Sequence, residues 1–139
     1  MSSYLTFYIV PKVKNGVEID PIAIMSYSRN SNVYQSFRDN LNVAYIGMDD
    51  KPNYSELTTR KVDIVIADLN KDIKSAQDRI AEYEKHAAGN FEIIDEILSQ
   101  KEYISDLEYA LHKIEFIRDL VEEAENEWSS LKAIYCNVD

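Results

Sequence analysis

Two acid–histidine pairs stand at i,i+4 spacing, Glu82 with His86 and Glu108 with His112. A carboxylate metal centre in a helical bundle needs Glu-x-x-His, a three-residue offset, on helices that face one another. Both pairs miss that offset. The helical hairpin that the periodicity predicts also separates the two histidines by about twenty residues of helix, about 30 Å. They read as solvated surface pairs, and no metal is expected. Cys136 is the only cysteine, which leaves neither an intrachain disulfide nor a thiolate metal site, and fits a reducing compartment. No serine stands in a nucleophile elbow, and Gly16, Gly47 and Gly89 are too few to build a phosphate-cradling loop. No catalytic residue, cofactor or enzymatic activity is expected.

The segment most like a site is Ser26-Tyr27-Ser28-Arg29-Asn30-Ser31. It runs from the end of a strand into the start of a helix, so hydroxyls, free backbone N–H groups and a guanidinium converge there. That chemistry suits a phosphate or carboxylate. Ser28, Arg29, Asn30 and Ser31 are the candidate anion-binding residues, with Arg38 joining if it shares their face. The plainer reading is a capped helix with a solvated arginine. An acidic stretch, Glu115, Asp119, Glu122, Glu123, Glu125 and Glu127, is offset only by Arg118. It reads as a solvated helix face, or as a decoy that occupies the basic groove of a nucleic-acid-binding host protein.

Charge distribution constrains the partners. The formal net charge is -10. Residues 1–53 are balanced, with Lys12, Lys14, Arg29, Arg38 and Lys51 against Glu18, Asp20, Asp39, Asp49 and Asp50, so the whole excess lies in residues 54–139. An acidic body repels phosphate, and direct nucleic-acid binding is not expected. No apolar run approaches the ~18 residues of a membrane span, and no apolar leader follows Met1. A soluble cytoplasmic protein is expected. Richness in Asn, Ile, Tyr and Lys, residues with AT-rich codons, points to a bacterial or phage genome, and hence for a phage to the host cytoplasm.

The elements that must position these residues follow from periodicity. Tyr4 to Val10 alternates, placing Leu5, Phe7 and Ile9 on one face of a strand. Asn15-Gly16, between Lys12-Val13-Lys14 and Val17-Glu18-Ile19, signals a tight hairpin. Ile22 to Tyr27 reads as a strand, and Asn30 or Ser31 caps a short helix carrying Val33, Phe37 and Leu41. Val43 to Ile46 reads as a further short strand. Val62, Ile66, Leu69, Ile73, Ala76, Ile80, Tyr83 and Ala87 then alternate four and three residues apart, the a/d seam of a coiled coil. Asn53 or Thr58 is the expected cap of this helix, and Gly89-Asn90 breaks it.

A second helix is expected from near Phe91 to about Ile134. Ile104, Leu107, Leu111 and Ile114 fall opposite Ala76, Ile73, Leu69 and Ile66 in one antiparallel register, so two separately read seams agree. The second helix is the longer, at about 65 Å against about 45 Å. Its distal Trp128 and Leu131 are expected to pack on the N-terminal head. Leu98, Tyr109 and Phe116 lie off the seam as a second apolar strip, to be covered by the head, left partly exposed, or used by a second copy.

The sequence therefore predicts an α+β protein. A β-rich head with one short helix (1–53) precedes a long antiparallel coiled-coil hairpin (54–139) turning near residues 89–90, the whole forming one cooperative unit. Prefoldin-like chaperones also combine β elements with a helical hairpin, but insert them between the helices, so the parallel is architectural. The function expected is non-catalytic protein–protein interaction or assembly, with a homo-oligomer as the product. The decoy and a sequesterer of a small nucleotide-like anion at residues 26–31 are the alternatives.

Overall fold

The computed structural model describes residues 4–11, 22–41, 55–126 and 131–138. Along the chain they form β1 (Tyr4–Pro11), β2 (Ile22–Ser28), α1 (Asn32–Asn40), β3 (Ser55–Glu56), α2 (Thr59–Glu84), α3 (Phe91–Glu125) and β4 (Leu131–Val138). The fold is mixed α+β, and its two long helices pack closely along one another. The expected Asn15-Gly16 hairpin, the strand at 43–46, the Asn53 cap and Trp128 lie outside the described residues.

The strands make one four-stranded sheet in the order β2-β1-β4-β3, and every neighbouring pair is antiparallel. Alternation along β1 buries Leu5 and Phe7 completely and leaves Tyr4 exposed. Thr6, largely buried, satisfies its hydroxyl against Ser26 at 3.2 Å across the β1–β2 pair.

Here the expected architecture needs a correction. The second long helix does not continue to Ile134: α3 ends at Glu125, and residues 131–138 form β4, held between β1 and β3. Residues 131–138 combine Ile, Tyr, Cys and Val, types that favour strands over helices. Pairing with β1 along its length and with β3 at Tyr135 and Cys136 gives backbone groups on both edges of β4 partners. Leu131 and Tyr135 are four apart, which suits a helical stripe as well as a strand face, so spacing alone misassigns them. The sheet is accordingly not confined to the N-terminal head. It is closed by chain from both ends of the hairpin.

Helix starts follow side-chain capping. Ser31 Oγ accepts the Tyr34 N–H at 3.1 Å and begins α1, Thr58 Oγ1 accepts the Lys61 N–H at 3.2 Å and begins α2, and Asn90 Oδ1 accepts the Glu92 N–H at 3.1 Å and begins α3. Gly89, at φ 71°, makes the reversal between α2 and α3, in the left-handed region that glycine enters without a Cβ clash. The cross-helix contacts Arg79–Gln100 and Asp63–Arg118 fall within one residue of the predicted register. Val62, Leu69, Ile73, Ala76, Leu107 and Ile114 are buried. Val65, off the predicted seam, is also fully buried. The stripe on α2 is wider than an a/d line because α1 packs on it beside α3.

A single core joins the sheet to the base of the hairpin. Leu5, Phe7, Val33, Phe37, Val62, Leu69, Ile114, Ile117 and Val121 belong to it. Phe37 stands edge-on to Phe7, ring centroids 5.3 Å apart. Truncating a fully buried ring that bridges helix and sheet leaves a cavity as well as losing transfer energy. Phe37→Ala should therefore destabilise the protein by about 3–5 kcal/mol, read as a lower urea midpoint with an unchanged m-value.

Candidate functional site

The β2–α1 junction faces the middle of α3 across a cleft of about 350 Å³. Tyr27, Asn30, Ser31 and Asn32 line the junction side, and Tyr103, Leu107, Tyr109 and Lys113 the helix side. Asn32 Nδ2 donates to Tyr103 Oη at 2.7 Å and ties the first turn of α1 to α3. Lys113 Nζ lies 4.5 Å from the centre of the Tyr109 ring, a cation–π contact that holds the ammonium at the cleft. Asp106 also lines the cleft, so its charge opposes that of Lys113. Tyr27 Oη is buried and has no hydrogen-bond partner among the described residues. Burial, and then the neighbouring Tyr109, push the Tyr27 phenol up to about 12.

The candidate anion-binding residues are only partly brought to this cleft. Asn30 and Ser31 line it; Ser28, Arg29 and Arg38 do not. The Ser31 hydroxyl is already committed, donating to the Ser28 carbonyl at 2.8 Å while accepting from Tyr34. Arg29 is exposed. Arg38 sits in the last turn of α1, paired with Asp39 at 3.1 Å. The cation that reaches the cleft is Lys113, and its distance in sequence from the junction hides it from local reading.

On the far side of Asn32 lies a polar recess lined by Ser36, Asp39, Asp68 and Asp72. Ser36 Oγ and Asn40 Nδ2 both donate to Asp68 Oδ2, at 2.6 and 3.0 Å. Burial and the adjacent Asp68 raise the Asp72 carboxyl above its ordinary value. No group of three or more metal-ligating side chains occurs among the described residues.

The acidic stretch is partly tied down. Glu125 accepts the Thr59 N–H at 2.9 Å, placing a carboxylate at the start of α2, where the helix dipole favours it. Glu122 accepts from Arg118 at 3.2 Å, and Arg118 also clasps Asp63 across the hairpin. Glu115, Asp119 and Glu123 are exposed, and Glu127 lies outside the described residues. Glu82, in the last turn of α2, and His86, just past its end, stand 3.7 Å apart and are exposed.

Among the described residues nothing covers the apolar strip on α3. Leu98, Tyr109 and Phe116 are 58%, 66% and 55% exposed, and Phe91, at 82%, extends the strip toward the hairpin turn. Phe91 stands one heptad before Leu98, and that spacing is the signal in the sequence that joins it to the strip. Comparison with protein families, with curated proteins and with solved structures gives no match. No helix among the described residues is long and apolar enough to cross a membrane.

The Tyr27 phenol supplies a test of the cleft. Its folded value lies above the ordinary 10, so folding favours the neutral form. The contribution is intact below pH 10 and is lost as the pH rises toward 12. Tyr27→Phe should keep or raise stability at neutral pH, since it removes a buried hydroxyl that has no partner among the described residues, with little change in shape. It should also flatten the fall in urea midpoint across that alkaline window.

Proposed function

We propose that this protein is a non-catalytic interaction and assembly protein whose working surface is the outer face of α3. One observation carries the reading. A single helix buries Ile97, Leu107, Ile114, Ile117 and Val121 on one side and exposes Phe91, Leu98, Tyr109 and Phe116 on the opposite side. A helix that is apolar on two opposite faces needs a partner on each; α2 and the sheet cover the buried side, and among the described residues nothing covers the other. Isolated exposed apolar residues are ordinary, but a run of large ones along one face marks a contact surface. The coiled-coil character expected of the inner seam belongs to the same proposal, with knobs-into-holes packing along α2 and α3.

Sedimentation equilibrium tests this reading. The wild type should gain mass with concentration, persistently in high salt. Leu98→Ser with Phe116→Ser should sediment as a monomer with unchanged far-ultraviolet circular dichroism. A wild type that stays monomeric at high micromolar concentration would contradict the assembly.

A second reading has its own support in Lys113 and in the Tyr27 hydroxyl, which has no partner among the described residues: a small anion, with an aromatic portion, held against Tyr109. On this reading a nucleotide raises the thermal midpoint of the wild type and not that of Lys113→Ala. No shift with any of the common nucleotides would retire it. The decoy reading gains nothing comparable, because Glu122 and Glu125 serve contacts within the protein.

A further inference from the structure

The outer face of α3 carries a second ladder. Phe91, Asp95, Leu98, Glu102, Ser105, Tyr109, His112 and Phe116 stand alternately four and three residues apart, and all eight are exposed. This is the spacing of a seam that packs against another helix. Among the described residues no other element covers it. Its order is palindromic in character, with large apolar residues at both ends and an acid and a histidine inside them.

We propose that the occupant of this face is a second copy of the chain, laid antiparallel about a two-fold axis at the level of Tyr103 and Ile104. The proposal rests on reading the outer face of α3 as the surface of self-association, and adds the orientation and the register. In that register Phe91 meets the partner's Phe116, Asp95 meets the partner's His112, and Leu98 meets the partner's Tyr109. Glu102 meets the partner's Ser105 in the two central layers. Each apolar residue finds an apolar one. Asp95 finds an imidazole N–H that donates to a carboxylate in either charge state. The two-fold repeats every contact, as an isologous interface requires.

The flanking charges agree with the same register. Antiparallel seams bring like-named flanks together, so Glu92 comes beside the partner's Lys113 and Lys101 beside the partner's Glu108, each about 3 Å from level. The other flanking pairs, Ser99 with the partner's Asp106 and Ile94 with the partner's Glu115, oppose no like charges. A parallel, in-register pair would instead set Asp95 against its own copy and bring the two Glu102 level with one another, in a chain of net charge -10. The antiparallel arrangement also keeps Lys113 beside the Tyr109 ring that already holds it. The two Glu102 side chains flank the axis, so the centre of the seam is its wettest part.

The size of the face sets the strength. From Phe91 to Phe116 the strip is about 38 Å long and about 10 Å wide, roughly 400 Å² per copy. A standard interface buries about 800 Å² per partner, so this one belongs to the weak, reversible class. The assay must run at high micromolar concentration.

Site-directed crosslinking reads the register. In a Cys136→Ser background, Asp95→Cys/His112→Cys treated with a short bismaleimide should give a covalent dimer joined from residue 95 to residue 112. The two positions lie about 25 Å apart within one helix, so the link must form between copies. Neither single cysteine should crosslink. Lys101→Glu and Glu108→Lys should each weaken the dimer by about fivefold in sedimentation equilibrium, and the double charge swap should restore it. Single cysteines that crosslink to themselves, or a double swap as weak as the singles, would overturn the register while leaving assembly through this face intact. A monomer under all conditions would overturn both.

Discussion

The burial of the hairpin base against the sheet is the constraint on which the rest of the structure depends. Ile114, Ile117 and Val121 of α3 are fully buried in the same cluster as Val62 and Leu69 of α2 and Leu5 and Phe7 of β1. Two helices alone make a thin seam, and helices in proteins owe most of their stability to tertiary packing. The base supplies that packing. Toward the turn only Ala76 and Ile97 are buried, and α3 has α2 on one side and no described element on the other. The same geometry that anchors the hairpin leaves its outer face uncovered.

β4 fixes the base in place. It follows α3 and enters the sheet between β1 and β3, so the chain cannot leave the core without breaking two ladders. Glu125 adds an electrostatic latch, because antiparallel packing brings the end of α3 to the start of α2, where a carboxylate finds free N–H groups. The cleft and the apolar strip then meet at Tyr109. Its ring lies under Lys113 and lines the cleft, while the residue stands in the exposed ladder. A partner on the strip would therefore border the cleft.

Local signals in the sequence were faithful wherever a short stretch decided its own conformation. β1 and β2, the Ser31 cap, the Thr58 cap and the Gly89-Asn90 reversal all rest on neighbouring residues, and the hairpin register followed from two periodicities that had to agree. The stretch after Glu125 reads as helix in the sequence and folds as strand because its apolar spacing suits both. What decides between them is the open edge of β1 on one side and β3 on the other, and neither can be seen from residues 131–138. Val65 illustrates the same limit, since its burial requires α1 to arrive from elsewhere in the chain. At the site, Asn30 and Ser31 were legible from the strand-to-helix junction. Lys113 and Tyr103 were not, because they reach the junction only through the docking of α3.

The central claim is that α3 serves two partners through opposite faces, and nuclear magnetic resonance on dilution from millimolar to micromolar protein tests it most directly. The account predicts concentration-dependent shifts confined to Phe91, Leu98, Tyr109, Phe116 and their outer-face neighbours, with Leu107, Ile114 and Val121 unmoved. Shifts centred on the sheet, or spectra that do not change with concentration, would contradict it.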